Sequence, residues 1–200
     1  TGHQRFTAER NVDATLDTSG VATGMKDPSE ALQFSFPNLD GNTVSLSDPQ
    51  FAGKVVIVTL SGSWCPNCHD EAAFLAALYR EFHEQGLEVV ALMFEHFGDF
   101  EQAAAATRRF RDKFGIEYAT LIAGTSDRDD AAKALPQLNG VFAYPTTIWV
   151  DRTGRVRKIH AGFAGPATGW HHEELVNEFT EFTQQLLAEP AEADGAIAAP

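Results

Sequence analysis

Short apolar runs and longer stretches with helical periodicity alternate from Phe34 to Leu187. Val55-Val56-Ile57-Val58-Thr59-Leu60 is a nearly unbroken β-branched run, which predicts a strand buried on both faces. Leu87-Glu88-Val89-Val90-Ala91-Leu92-Met93-Phe94 predicts a second one. Between them Phe74, Leu75, Leu78 and Phe82 recur at helical spacing, and Gly86 ends that helix. Upstream, Asp40-Gly41-Asn42 is a turn signal between Phe34-Ser35-Phe36 and Thr43-Val44-Ser45-Leu46, so a β-hairpin is predicted. Downstream, Asp99 followed by Gln102 resembles a capping box opening a helix marked by Phe100, Ala103, Phe110 and Phe114.

Tyr118 to Ile122 predicts a short strand, and Asp129 to Leu135 a polar helix. Thr146-Thr147-Ile148-Trp149-Val150 is a strand that turns through Asp151-Arg152-Thr153-Gly154 into Arg155 to His160, whose alternation suits a half-exposed antiparallel strand. Leu175, Phe179, Phe182 and Leu186 form the stripe of a last helix. This order of elements is that of an α/β domain with a central mixed β-sheet flanked by helices. The domain is expected over residues 34–187. Residues 1–33 read as a polar lead-in or linker, in which Arg5-Phe6-Thr7-Ala8 is compatible with the last strand of a preceding domain, and residues 188–200 as a disordered tail.

Charge narrows the partners. The chain has 200 residues, 44% of them hydrophobic, with 15 Lys plus Arg against 28 Asp plus Glu and a net charge of −13. That field repels phosphate backbones and argues against nucleic acid as a partner. No apolar run approaches the ~20 residues that span a bilayer. The first residues, Thr1-Gly2-His3-Gln4-Arg5, lack an initiator Met and do not form a signal peptide, so a processed or truncated piece of a longer precursor is expected.

The chemistry centres on Trp64-Cys65-Pro66-Asn67-Cys68. Its cysteines are the only two in the chain, and no structural disulfide can be built beside them. Proline suits the first helical turn, which places Cys65 at a helix N-terminus, where free N–H groups and the helix dipole favour a thiolate. Cys65 is expected to be the exposed nucleophile and Cys68 the more buried resolving thiol. Structural zinc commonly needs about four ligands, often two such pairs; no second pair exists, and His69 follows Cys68 too closely to complete one. No metal or other cofactor is expected beyond the Cys65–Cys68 disulfide itself. Glu71, three residues after Cys68, shares its helical face and is a candidate proton acceptor or donor; the alternative is a surface carboxylate on the first turn. Pro145 precedes a strand, and a cis-proline loop there would let the Tyr144 backbone pair with an extended substrate. Trp64 is expected to shield the dithiol. His171-His172 reads as a solvated pair, and Gly162, Gly165 and Gly169 as turn glycines.

Trp64-Cys65-Pro66-Asn67-Cys68-His69-Asp70-Glu71 after a β-branched strand resembles the TlpA/ResA-like thiol–disulfide oxidoreductases of the thioredoxin superfamily. Gly53-Lys54-Val55-Val56, Tyr144-Pro145-Thr146-Thr147 and Val150-Asp151-Arg152-Thr153-Gly154 resemble the same family in order and spacing, over about residues 34–187. The resemblance implies a thioredoxin-like fold with a strand–helix insertion that includes the Asp99–Phe114 helix. It implies Cys65, Cys68 and Glu71 as the catalytic set and Pro145 as the cis-proline, with Trp64, Pro66 and Tyr144 beside the substrate. Thr59 stands where thioredoxin proper has a buried Asp, which leaves Glu71 as the nearby acid. The family further implies an extracytoplasmic protein, periplasmic or tethered to the cell envelope. It would reduce protein disulfides with electrons from a membrane or soluble thiol donor.

Two other readings compete. A peroxiredoxin-like thiol peroxidase needs Pro-x-x-x-Thr/Ser-x-x-Cys, but Val58 and Gly62 occupy the proline and hydroxyl positions ahead of Cys65. A non-catalytic binding module of the same fold would not need the intact dithiol.

Overall fold

The computed structural model of the chain describes residues 22–190, so the expectations for Arg5–Ala8 and for the tail from 191 onward lie outside the described residues. The hairpin forms from β1 (Ser35–Pro37) and β2 (Thr43–Ser45), antiparallel, with Phe36 opposite Val44. Asn38 Oδ1 accepts the N–H groups of Asp40 and Asn42 at its turn, and Gly41 takes the positive φ of 83° that the turn requires.

The main sheet has five strands in the order β5-β4-β3-β6-β7. β3 (Val55–Ser61) lies at its centre, parallel to β4 (Leu87–Glu95) and antiparallel to β6 (Thr146–Val150). β5 (Ala119–Thr125) extends the sheet in parallel beyond β4, and β7 (Val156–Ala161) closes the other edge against β6. The helices are α1 (Pro66–Phe82), α2 (Phe100–Phe114), α3 (Arg128–Ala134) and α4 (Trp170–Ala188). This mixed sheet between helical layers is the thioredoxin-like arrangement, and α2 with β5 is its added helix–strand unit. Asp99 caps α2 by accepting the Gln102 N–H at 3.0 Å, as the sequence pattern predicts.

The unbroken apolar run of β3 has a direct cause. Val55 and Ile57 face a core with Leu75, Leu78 and Phe82 of α1 and Phe179 of α4. Val56, Val58 and Leu60 face a second core with Phe34, Phe51, Ala131 and Leu135. Both faces are dry, so no polar alternation survives. Of the stretch ahead of Phe34, residues 22–33 are described, and they are held against this second core. Leu32 is buried, Met25 bridges to Leu138, and Gly24 N–H donates to Asn139 Oδ1. These are single anchors in a polar, turn-rich stretch, without the periodicity that marks an element.

Candidate active site

β3 delivers the chain to a short loop, Gly62 to Cys65, before α1 begins at Pro66. Cys65 takes the N-cap position of α1 with extended backbone angles (φ −93°, ψ 117°), and Pro66 fills the first helical position, where an N–H would have no partner. The Trp64 indole N–H donates to the Phe94 carbonyl at 2.8 Å. A side chain on Gly62 would collide with that indole and that carbonyl, so the close approach of loop and strand requires glycine there. Trp64 stacks on His96 (ring centroids 4.6 Å apart) and meets Tyr144 edge-on at 5.6 Å. It is 37% exposed, and so walls the site rather than filling the core.

Cys65 is only 5% exposed, which corrects the expectation of an exposed nucleophile. The loop ahead of β6 comes over it: the Cys65 thiol donates to the Tyr144 carbonyl at 3.5 Å, and the Tyr144–Pro145 peptide is cis. Cys68 is fully buried behind it, and both are free thiols. The two sulfurs are driven apart in acidity. A hydrogen bond from the Cys68 thiol pulls Cys65 down to about 6, helped by the backbone N–H groups of Cys68 and Asn67 and opposed by burial. Cys68 is pushed up by that same bond, by burial and by the charge on Cys65.

Glu71 lies on the first turns of α1 but is 1% exposed, which overturns its reading as a surface carboxylate. Thr59 Oγ1 donates to its Oε2 at 2.6 Å, and Thr147 Oγ1 donates to its Oε1. Thr59 on β3 and Thr147 on β6 are directly paired across the sheet, so one rung of the ladder presents two hydroxyls to one carboxyl group. Burial pushes Glu71 up to about 7, the two hydroxyls pull the other way, and the charge of Cys65 adds to the rise.

All seven predicted residues, Trp64, Cys65, Pro66, Cys68, Glu71, Tyr144 and Pro145, thus fall at one end of the sheet. Thr147, Ser63 and Glu95 join them without having been singled out, together with Thr59, marked in the sequence only as the place of thioredoxin's buried Asp, and His69, weighed there only as a zinc ligand. Glu95 closes β4, is 1% exposed, and accepts from the Ser63 N–H at 2.9 Å and the Ser63 hydroxyl at 2.7 Å. Its only signal in the sequence is an acid directly after the apolar run Leu87–Phe94. Elsewhere, His171 is exposed against Trp170, whereas His172 is tied through Nδ1 to the Ala164 carbonyl at 2.8 Å and is not fully solvated. Among the described residues no group of three or more His, Cys, Asp or Glu side chains is placed to hold a metal ion.

Residues 25–171 match the Redoxin family. The thiol-disulfide oxidoreductase ResA of Geobacillus thermodenitrificans is 30% identical over 148 residues, 73% of this chain and 73% of that protein. ResA of Bacillus subtilis is 25% identical over 167 residues, 84% of this chain and 78% of its own length. Among solved structures, a secreted thiol-disulfide isomerase from Corynebacterium glutamicum superposes with a TM-score of 0.62 at 18% identity, covering 92% of this chain and 99% of that one. A thiol:disulfide interchange protein from Chlorobium tepidum gives 0.59 at 19% identity, covering 82% and 99%. These two structural likenesses are ones of fold; the sequence matches go further, and by them the chain belongs to the Redoxin family, as a ResA-like thiol–disulfide oxidoreductase.

Proposed function

We propose that the Cys65–Cys68 pair reduces disulfides in polypeptide substrates, with Cys65 attacking and Cys68 resolving. The observation that carries this reading is the opposed acidity of two adjoining thiols at the start of α1: Cys65 falls to about 6 while Cys68 is pushed above its ordinary value. At neutral pH Cys65 is a ready nucleophile and Cys68 keeps its proton.

The Cys65 thiolate attacks one sulfur of the substrate disulfide, and the other substrate sulfur leaves as a thiolate. Cys68 then gives its proton to the Glu71 carboxylate and attacks Cys65 Sγ. The Cys65–Cys68 bond forms and the second substrate sulfur departs. Two electrons have passed from the dithiol to the substrate, and a membrane or soluble thiol donor returns them. A carboxyl group near 7 suits this exchange, being partly ionised at working pH. Trp64, Pro66, Tyr144 and Pro145 form the substrate-binding rim, with the Tyr144 backbone available to an extended segment.

The reducing direction rests on the family resemblance. An extracytoplasmic location, periplasmic or at the cell envelope, likewise rests on the family resemblance, and one neighbour in fold is described as secreted. No helix among the described residues is long and apolar enough to cross a membrane. The catalytic unit is residues 34–187, with the preceding segment as a lead-in.

Replacing Cys68 by Ser tests the order of events. Cys68→Ser is expected to accumulate mixed disulfides with cell-extract proteins through Cys65, released by dithiothreitol, while the double variant lacking both thiols accumulates none. Free turnover of Cys68→Ser without adducts would show that Cys68 does not resolve.

A further inference from the structure

Glu95 is a second buried carboxyl at the site, and the exchange chemistry makes no use of it. It touches neither sulfur. Burying a carboxyl group is costly unless donors take up its oxygens. Here Ser63 supplies two, its N–H to Oε1 and its hydroxyl to Oε2, and Thr107 of α2 adds a hydroxyl to Oε1 at 3.4 Å. All three partners donate, which matches an acceptor-only carboxylate. Ser63 is also held from its other side. Its carbonyl meets His69 Nε2 at 2.7 Å, and His69 Nδ1 meets Lys113 Nζ at 3.1 Å. An ammonium group only donates and a carbonyl only accepts, so His69 is the neutral tautomer with its proton on Nε2, donated to Ser63. Rings of Phe110 and Phe114 hold that imidazole in place, at 5.2 and 5.3 Å.

We propose that Glu95 is a positioning residue for the thiol–disulfide exchange: by clamping Ser63 to the end of β4, it fixes the loop that aims the Cys65 sulfur at the start of α1. The inference rests on Cys65 being the attacking thiol. The loop between Ser61 and Pro66 is short, and the Cys65 N–H is itself bonded to the Gly62 carbonyl at 3.1 Å. Ser63 therefore has no slack through which to move without moving Cys65. A loosened loop shifts the sulfur away from the N–H groups and the Cys68 thiol that favour its charge. The clamp also joins α2 to the chemistry, because Thr107 and Lys113 both lie on that helix.

The test compares reduced full-length wild type, Glu95→Gln and Ser63→Ala. The rate of Cys65 alkylation by iodoacetamide is followed across pH, with the modified thiol located by mass spectrometry. Glu95→Gln removes the carboxylate charge and puts an NH2 group where Oε2 accepted the Ser63 hydroxyl, which weakens the clamp. Its Cys65 profile should move up by about one pH unit, roughly a tenfold loss of thiolate below the wild-type midpoint. Ser63→Ala, which removes one donor and keeps the N–H, should shift it the same way by less. Thr183→Val breaks a buried hydrogen bond to Trp149 far from the loop, lowering stability without moving the profile. The inference is overturned if Ser63→Ala, or a folded Glu95→Gln, keeps the wild-type Cys65 profile. Wild-type Cys65 reacting no faster than Cys68 near neutrality would instead remove the nucleophile assignment, and this inference with it.

Discussion

Glu71 keeps its proton longer in the folded protein than in the unfolded chain, since burial lifts it from 4.5 to about 7. Below the lower value both states are protonated and the group costs nothing. Between the two values the native state binds more protons, so stability falls as pH rises; above about 7 the full penalty, on the order of 3 kcal/mol, is in place. Cys65 acts with the opposite sign over a higher window, from about 6 to its ordinary 9, where its lowered value adds stability as pH rises. Comparing wild type with Glu71→Gln removes the common Cys65 contribution. In urea unfolding of the reduced proteins, wild type should lose stability relative to Glu71→Gln between pH 5 and pH 8, and a gain would contradict the buried carboxyl. The helical spacing from Cys68 made Glu71 legible in the sequence. Its hydrogen-bond partners were not: the sequence marked Thr59 only as the place of a missing Asp, and Thr147 becomes its neighbour only through the β3–β6 register. The burial of Cys65 was hidden for a similar reason: the covering carbonyl of Tyr144 lies 79 positions away.

At the level of elements the sequence was informative wherever a period was long. The apolar runs gave β3 and β4, the capped pattern gave α2, and the stripe from Leu175 to Leu186 gave α4. It was uninformative where one anchor does the packing, as with Met25 and Leu32 in a polar stretch, or Glu95 at the tip of an apolar strand. α4 shows what its stripe accomplishes. Phe179 is fully buried, with its ring 4.6 Å from Trp149 of β6, 6.1 Å from Phe74 of α1 and 6.0 Å from Phe163. Removing it opens a cavity between helix layer and sheet, so Phe179→Ala should cost about 3–5 kcal/mol in denaturant unfolding. Alkylation of Cys65 by the folded variant should keep its wild-type rate, because the cavity lies away from the loop at Ser63. A loss below about 1 kcal/mol would mean that α4 is not held by this stripe.

Across the whole molecule, one end of the sheet gathers groups from β3, β4, β6, α1 and α2 around a single dithiol. The motif order along the chain was enough to name that end, since the cysteines, Glu71 and the loop at Pro145 are recognisable separately. What holds it in shape, the Thr59–Glu71–Thr147 bridge and the Glu95–Ser63–His69 clamp, exists only once the strands are in register. The central claim is that this assembly makes Cys65 the working thiol of a protein-disulfide reductase. The most direct measurement is the dithiothreitol-driven reduction of insulin disulfides, followed by turbidity, with wild type and Cys65→Ser side by side. Wild type should accelerate the reduction and Cys65→Ser should fall to the rate without protein; wild-type turnover by Cys65→Ser would contradict the account.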